Sequence, residues 1–377
     1  MDVLNFSDNI VRLRHKKNIT QEQLAEFIGV TKASVSKWEN KQSLPDILLL
    51  PKLAAFFDVS IDELIGYEPQ LSKEQIQRLY HELASAFAEK PFEEVMKKSQ
   101  ELVKKYYSCY PFLFYIGCLW VNHFMLAKSK VRQEEILNQT SDLYSHIIDE
   151  CKDIGICNNA VILKSIADLQ LGRIEEVIEK LEEILNPNHM MPDAVLIQAY
   201  QMNGQKDKAN NFTQISMFSH LIALIEGAVN FIAIHTDNIV VCEATVKRMD
   251  SLFEAYDIEK LNPNAALQFY YQSAIIYCQN NEKDKALERL EKYADCVKIL
   301  LFEDGLFLHG DSYFDSIESS FEQLDLGRHA PRDRKVIADS AVEIFSNSAF
   351  TVLNDSEKFK RIKQSLFMQM QNEDFQK

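Results

Sequence analysis

Residues 20–46 read TQEQLAEFIGVTKASVSKWENKQSLPD, and this stretch predicts two short helices joined by a tight turn. Thr20 followed three residues later by Gln23 is typical of a capping box at a helix start. Gly29 predicts the end of the first helix, because glycine readily takes the left-handed conformation that terminates helices. Thr31 then predicts the start of a second helix. Two helices joined this closely form a helix-turn-helix.

The second helix is predicted to present a small polar face on the side away from its apolar residues. Val35 and Trp38 lie three positions apart and predict the buried side. Steps of about 100° per residue place small, polar and basic residues on the outward side. These are Lys32, Ala33, Ser36, Lys37 and Asn40. Such a face suits the major groove, where lysine and serine reach base edges and phosphates. The alternative to DNA binding is a small helical bundle whose lysines form a solvent-exposed face and contact no ligand.

The pattern of residues 6–66 predicts five short helices, and the whole stretch resembles the XRE family, the lambda-repressor and Cro type of DNA-binding domain. The likeness rests on RLRHKKNITQEQLAEFIGVTKASVSKWENKQSLPD at 12–46 and on LAAFFDVSIDELIG at 53–66. The second segment carries a further predicted capping box at Ser60 and Glu63. The resemblance implies a five-helix, lambda-repressor-like fold for this part of the chain.

The same resemblance implies which residues meet DNA. It implies phosphate contacts at the start of the first helix of the pair and after the second, namely Gln21, Asn40 and Lys41. It implies base-facing positions at Lys32, Ala33, Ser34 and Lys37. It also implies that Arg14 and Glu39 form an ion pair that joins the first helix to the recognition helix, and this pair is structural.

Composition places this segment in an acidic, helix-rich chain. The 377 residues fit two domains, or one domain and a repeat array, and they carry a formal net charge of −15. Ten glycines and nine prolines are few for this length, which favours long helices over sheets with many turns. Residues 12–41 carry seven Lys and Arg against three Asp and Glu, a local charge of +4. One small region can therefore meet phosphate, while the acidic remainder is repelled by DNA.

The remainder predicts an all-α fold in which the DNA-binding domain, 1–67, is followed by a linker at 68–72 and a helical repeat domain at 73–377. LQLGRIEEVIEKLEEIL, AYQMNGQKDKANNF and IYCQNNEKDKALERLEKYA share a break followed by a new helix. The breaks at Gly172, Gly204, about Asp237 and about Asn281 are 32, 33 and 44 residues apart, and this spacing resembles, with a degenerate match, the period of tetratricopeptide (TPR) helix pairs, about 34. Stacked pairs of this kind predict a TPR-like right-handed α-superhelix. Terminal capping helices are predicted at about 335–370, with Phe350, Leu353, Phe359 and Ile362 on their apolar side.

The concave face of such an array is predicted to hold a short peptide, because amide side chains can bind a peptide backbone. The candidates are amides embedded in apolar helices: Asn122, Asn159, Gln198, Asn230 and Gln272. Each of them also has an ordinary structural reading as an interhelix or solvent-facing amide. The order of an XRE domain and a TPR-like array resembles the peptide-responsive regulators of the Rgg, PlcR and PrgX type. This resemblance implies a cytoplasmic homodimer that senses a signalling peptide and binds a palindromic operator.

Other classes of site have little support. No phosphate-binding loop, nucleophile elbow, zinc-peptidase or dinucleotide motif occurs, so neither an enzyme nor a cofactor is expected. The seven cysteines are scattered and never spaced CxxC, which argues against disulfides and zinc. A turn and a helix cap explain His309, Asp311 and Asp315 more simply than a metal site does. No signal segment or membrane-length apolar run is seen, so a cytoplasmic location is expected.

Two other functions fit the same sequence. In the first function, the helical array is an interaction scaffold that docks onto a protein partner, and the amino-terminal domain only tethers the array. In the second, the chain is a repressor of a phage or mobile element that binds DNA without any effector.

Overall fold

The computed structural model describes residues 5–67, 70–184, 193–302, 305–322, 324 and 326–371. The described residues form α-helices and short 3-10 helices, and their extended pairing is limited to an isolated antiparallel bridge between Phe307 and His329. The predicted all-α fold class is confirmed. The chain divides into two compact units, residues 1–72 with 101–112, and residues 73–100 with 113–377. Of the predicted linker at 68–72, Glu68 and Pro69 lie outside the described residues.

The amino-terminal unit contains the five predicted helices. They are α1 (Phe6–Lys16), α2 (Gln21–Ile28), α3 (Lys32–Glu39), α4 (Leu50–Phe57) and α5 (Ile61–Ile65). Their apolar sides meet in one core, whose most enclosed side chains include Ile10, Leu24, Val35, Leu53 and Leu64. Val35 and Trp38 are both buried, so the predicted inward side of α3 is confirmed.

Local sequence explains how α2 and α3 begin and end. The Thr20 side chain accepts a hydrogen bond from the Gln23 backbone, and the Gln23 side chain accepts one from Thr20, which confirms the capping box. Gly29 closes α2 with a φ of +88°, a conformation that favours glycine. Thr31 caps α3 by accepting from the Ser34 backbone N–H. At Ser60 the structure shows only half of the predicted box, the bond from Glu63 N to Ser60 Oγ.

The second unit is built mainly from long helices, most of which follow one another through short turns; longer connections lead into α18 and α19. Helices α7 and α8 contain residues of both units. The helices are α6 (Lys73–Glu89), α7 (Phe92–Lys105), α8 (Tyr110–His123), α9 (Lys130–Glu150), α10 (Ile154–Gln170), α11 (Ile174–Ile184), α12 (Asp193–Met202), α13 (Lys206–Ile234), α14 (Ile239–Tyr256), α15 (Ile258–Leu261), α16 (Pro263–Gln279), α17 (Lys283–Phe302), α18 (Glu318–Glu322), α19 (Arg334–Glu343) and α20 (Glu357–Gln371). Short 3-10 helices cover Ile47–Leu49, Phe124–Leu126, Ile344–Ser346 and Ser348–Leu353.

Three turns between consecutive helices share one geometry. Gly172, Gly204 and Asn281 all have a positive φ, between 61° and 77°. In each turn the next backbone N–H bonds to a carbonyl five residues back, as from Arg173 to Asp168, from Gln205 to Tyr200 and from Glu282 to Tyr277. This bond is typical of a Schellman helix end. The breaks at Gly172, Gly204 and Asn281 are therefore turns of a single type, whereas at the break near Asp237 the residue that follows helix α13, His235, has a negative φ of −101°.

One core of the second unit runs from α13 to the last helix, and α6 to α10 bury further apolar side chains such as Leu83, Leu119 and Ile136. Helix α16 packs against α13, α14, α15 and α17, and α20 packs against α17 and α19. Phe350, Leu353, Phe359 and Ile362 are all buried in this core. The carboxy-terminal residues thus cover apolar side chains of the preceding helices.

Helix α13 differs from its neighbours in length and exposure. It has 29 residues and is, among the described helices, the one long and apolar enough to cross a membrane by length and composition. Buried core helices of soluble proteins also meet that criterion, but only 22% of the most apolar window of α13 is buried. Its exposed apolar residues include Leu224, Phe231 and Ile234.

Candidate nucleic-acid interface

A buried ion pair fixes the recognition helix α3 against α1. Arg14 Nε lies 2.6 Å from Glu39 Oε1, and Arg14 Nη2 lies 3.0 Å from Glu39 Oε2. The two side chains are only 13% and 7% exposed. Burial disfavours the charged carboxylate, but hydrogen bonds from Arg14 and Gln21 outweigh it, so the pKa of Glu39 is below its ordinary value. The predicted structural pair is confirmed.

Gln21 belongs to the same hydrogen-bonded group. Its side-chain nitrogen donates to Glu39 Oε2 at 2.9 Å, and the residue is half-buried. The amide that the family resemblance assigns to a phosphate therefore also joins α2 to α3. Sequence reasoning missed this contact, because Gln21 and Glu39 are far apart in the chain and lie on different helices.

The outward face of α3 is accessible. Lys32, Ala33, Lys37 and Asn40 are exposed, and Ser36 is half-buried on the same helix. Asn40 Nδ2 donates to the Ser36 carbonyl oxygen at 2.8 Å and lies 3.3 Å from Ser36 Oγ. Among the described residues, Lys37 has no ion-pair partner. The structure thus brings these five predicted residues together on one helix, with the Lys37 ammonium unpaired.

The remaining predicted DNA contacts make weak or local interactions. Ser34 is half-buried, and its hydroxyl lies 2.9 Å from the Thr31 hydroxyl at the start of α3. Lys32 lies 3.6 Å from Glu22, and Lys41 lies 2.9 Å from Asp8. All four charged side chains are more than 60% exposed, and exposed pairs contribute little stability. Both lysines can therefore exchange a carboxylate for a phosphate at little cost.

The segment after α3 departs from its sequence pattern. The stretch ILLLPKLAAFF at 47–57, opened by Pro45 and Asp46, predicts a single helix. In the structure Asp46 caps a 3-10 helix, Ile47–Leu49, and α4 begins only at Leu50. Pro51 lies at the start of α4, where its missing N–H is tolerated, so it marks the true helix start. Leu44, Ile47 and Leu48 are exposed as a result.

The five amides predicted to bind a peptide lie on five different helices. Asn122 of α8 lines a cavity of about 340 Å³. The other four are exposed or half-buried, and no two of the five line the same one of the four main cavities of the described residues. These are Asn159, Gln198, Asn230 and Gln272. Helix periodicity located each amide on a helix, but the packing of the helices decides which of them face a common space.

The largest of those cavities is an open groove of about 650 Å³ between α14 and the α15–α17 segment. Asp250 of α14 accepts two hydrogen bonds from the buried Arg289 of α17, at 2.5 and 2.7 Å. The same guanidinium lies over the ring of Tyr270, whose hydroxyl donates to Glu259 at 2.5 Å. The groove is therefore a preorganised polar surface with aromatic walls.

The described residues contain no group of three or more His, Cys, Asp or Glu placed to hold a metal ion. Asp311 Oδ1 accepts hydrogen bonds from the backbone N–H groups of Tyr313 and Phe314. The expected turn is confirmed, but the expected helix cap is wrong, because residues 311–317 are not helical and α18 begins only at Glu318.

Comparison with known proteins locates the family in the amino-terminal unit. A helix-turn-helix family model matches residues 10–64. The transcriptional activator BcrR of Enterococcus faecalis is 42% identical over 65 residues, which are 17% of this chain and 32% of BcrR. AnsR of Bacillus subtilis is 35% identical over 63 residues, 17% of this chain and 54% of AnsR. The chain therefore spans about a third of the length of BcrR and about half of that of AnsR.

The transcriptional repressor RstR of the cryptic phage CTXphi, from Vibrio cholerae, is matched over most of its length. It is 32% identical over 92 residues, which cover 22% of this chain and 82% of RstR. The apo form of the competence regulator ComR from Streptococcus vestibularis covers 85% of this chain and 98% of its own at 14% identity. Its TM-score of 0.23 is too low for the likeness to support any argument. On the evidence of the family model and RstR, the chain belongs to the XRE-type helix-turn-helix family of transcriptional regulators.

Proposed function

We propose that the chain is a sequence-specific transcriptional regulator that acts as a homodimer in the cytoplasm and senses a short peptide through its helical unit. The observation that carries the DNA-binding part is the geometry of α3. Its buried side is fixed by Val35, Trp38 and the Arg14–Glu39 pair, and its outward side presents small, amide and lysine groups. A rigid helix with such a face fits the major groove, where side chains distinguish base pairs.

Within that face, Lys37 is the residue best placed to contact DNA. It is exposed near the middle of α3, and no carboxylate of the described residues competes for its ammonium. Ser36 and Ala33 are small, so they let the helix approach the base edges. Gln21, Asn40 and Lys41 border this face and are proposed to hold phosphates, as the family resemblance implies.

A gel-shift titration tests this assignment. Lys37→Ala should lower affinity and change the preference among operator variants if Lys37 contacts a base, by about 1–3 kcal/mol at that base pair. Lys97→Ala is the matched control, because Lys97 is an exposed lysine of α7 outside the recognition unit. If the wild-type protein and Lys37→Ala each bound random DNA as tightly as the operator, the base-reading role of Lys37 would be ruled out.

Homodimer formation is supported by exposed apolar side chains in the second unit. Large apolar residues of α10, α12 and α13 face solvent, and surfaces of this kind commonly bind another protein chain. They include Ile162, Val195, Met202, Leu224 and Ile234. Two copies would place two recognition helices about 34 Å apart, in successive major grooves of a palindromic site.

Peptide sensing is supported by the groove along α14. Carboxylates, an arginine, two lysines and two tyrosines line it, so it offers ionic, hydrogen-bonding and aromatic contacts to an extended chain. A bound peptide alters DNA binding only if it favours one arrangement of the dimer over another.

Native mass spectrometry of the purified full-length protein tests the dimer and the ligand together. The protein should appear at twice the chain mass of 43.6 kDa and gain a peptide adduct after incubation with fractionated culture peptides. A dimer without any adduct would favour a repressor that works without an effector; the chain's likeness to RstR is a likeness to a phage transcriptional repressor. Capture of a large protein partner in place of a peptide would favour the scaffold function.

A further inference from the structure

One cavity of the second unit has a chemical character opposite to that of the chain as a whole. It measures about 340 Å³, and its described lining includes Arg328, His329 and Arg332 but no Asp or Glu. The chain carries a formal charge of −15, and five carboxylates line the larger groove along α14. A mainly apolar cavity whose charged lining residues are basic, in so acidic a protein, is a selective surface for an anion.

Arg332 is the free cation of this cavity. Arg328 pairs with Glu318 at 3.5 Å and donates to the Leu308 carbonyl, so its guanidinium is already engaged. Arg332 is half-buried, and within the described parts of the chain none of its N–H donors has a hydrogen-bond or ion-pair partner. Its partial burial removes water from the guanidinium and so lowers the pKa of Arg332. A partly buried, unpaired guanidinium gains more from a carboxylate than an exposed one does.

The wall around Arg332 is held in place. Tyr80 of α6, itself buried, donates a hydrogen bond of 2.9 Å to the carbonyl oxygen of Pro331, the residue before Arg332. The nearby bridge between Phe307 and His329 ties the two segments that line the cavity. Arg332 is therefore presented from a supported backbone, as a specific binding site requires.

The rest of the wall is mainly apolar, with amides at the side. Leu261, Leu300 and Ile337 are among the apolar lining residues, and Asn122 and Asn264 supply amides. A volume of about 340 Å³ is near the lower end of small-ligand sites, about 300–1,000 Å³, so it fits one end of a peptide and not its full length.

We propose that this cavity binds an apolar ligand through one anionic group, with Arg332 holding the anion in a two-point contact. This inference rests on the proposed peptide sensing, which supplies the ligand. The ligand is the C-terminal residue of the peptide, whose free carboxylate lies on Arg332 and whose apolar side chain packs against Leu300 and Ile337. Asn122, one of the amides singled out from the sequence, would then accept a hydrogen bond from the peptide backbone through its Oδ1, because its Nδ2 donates to the Cys118 carbonyl at 2.9 Å.

A paired-library experiment tests the assignment on the full-length protein. Two random octapeptide libraries ending in an apolar residue are used, one with free C-terminal acids and one with C-terminal amides. Captured members are counted by mass spectrometry. The wild-type protein should enrich acids over amides by about tenfold, the size expected for a charge-assisted contact. Arg332→Gln should lose this preference, and Arg332→Lys should keep part of it, because it retains the charge but not the planar fork.

Arg361→Gln is the matched control, since it removes one exposed positive charge from α20 at a distance in sequence from the cavity. It should retain the preference of the wild-type protein. Circular dichroism and native mass should be unchanged in Arg332→Gln, which shows that any loss is not a folding defect. Equal capture of acids and amides by the wild-type protein, or an unchanged preference in Arg332→Gln, would overturn the Arg332 assignment while leaving peptide sensing intact.

Absence of capture from both libraries would count against peptide sensing itself. Thermal stabilisation by N-acetyl-L-phenylalanine, compared with that by its amide, then tests whether the cavity binds an apolar anion. Stabilisation by the acid that disappears in Arg332→Gln would assign the cavity to a non-peptide apolar acid. No stabilisation of the wild-type protein by either compound would overturn the proposed anion site.

Discussion

Replacing Glu39 by alanine should strongly destabilise the amino-terminal unit. Glu39 accepts two hydrogen bonds from Arg14 and one from Gln21, and its side chain is 7% exposed. A hydrogen bond to a charged group contributes about 1.5–3 kcal/mol. The substitution leaves the largely buried Arg14 guanidinium without a carboxylate partner, although its bond to the Ile19 carbonyl remains. Because the three bonds share one carboxylate and are not additive, we expect a loss of about 2–3 kcal/mol in the free energy of unfolding.

Trp38 provides the assay, because it lies in the core of this unit next to Glu39. The other tryptophan, Trp120, belongs to the second unit, so a Trp120→Phe background makes the fluorescence specific for the first. With a urea m-value of about 1 kcal/mol/M for a unit of this size, the midpoint should fall by about 2 M. Glu22→Ala is the control: its pair with Lys32 spans 3.6 Å, its side chain is 75% exposed, and its loss should cost at most about 0.5 kcal/mol.

The pH dependence gives the sign of the effect. The pKa of Glu39 is lowered in the folded protein, so its stabilisation is present above the unfolded pKa of about 4.3 and disappears as the pH falls through the folded value. The gap between the wild-type protein and Glu39→Ala should therefore be full at pH 7 and narrow in acid. Equal midpoints for Glu39→Ala and Glu22→Ala at pH 7 would refute the claim that this pair fixes α3.

Other substitutions test the turns, the packing and the buried histidine of the fold. Gly29→Ala should cost about 1–2 kcal/mol in the Trp38 assay, because its φ is +88° and strain alone opposes the side chain; Gly227→Ala, inside α13 with open space around it, should stabilise its own helix by up to about 1 kcal/mol. Gly117→Ala should destabilise the second unit by about 1–3 kcal/mol, since the new methyl group meets the ring of Tyr144. In a Tyr144→Leu background the same substitution should cost much less stability, and this difference would identify the clash. Burial lowers the pKa of His123 to about 4, so unfolding of the second unit, followed by Trp120 in a Trp38→Phe background, should become easier between pH 6.5 and 4 by up to about 1.4 kcal/mol per pH unit. His123→Phe should flatten that part of the profile, and an unaltered slope would contradict the assignment.

Much of the amino-terminal unit could be predicted because its signals are local. The Thr20 capping box, Gly29 and the Val35–Trp38 side of α3 each depend on residues within one or two helical turns. The bond from Gln21 to Glu39 could not be predicted in the same way, since it depends on how two helices pack.

The second unit shows the same limit on a larger scale. The turns at Gly172, Gly204 and Asn281 were visible as breaks, because each needs a residue that tolerates a positive φ. The five amides were visible as polar residues in apolar helices, but the structure does not gather them into one cavity. Arg332 lies in the run GRHAPRDRK at 327–335, and the positive charge of this run is evident from the sequence. The partial burial of Arg332 in a cavity lined by no described Asp or Glu depends on the fold.

The most direct test of the account is selection of DNA by the full-length protein from a pool of random duplexes at physiological salt. We predict recovery of an inverted repeat whose half-sites are about one helical turn apart and which the protein binds at least about a thousandfold more tightly than random duplex. Lys37→Ala should select a motif altered in each half-site, while Lys97→Ala should select the wild-type motif. Recovery of no common motif by the wild-type protein, or of the same motif by Lys37→Ala, would contradict the claim that α3 reads the DNA sequence.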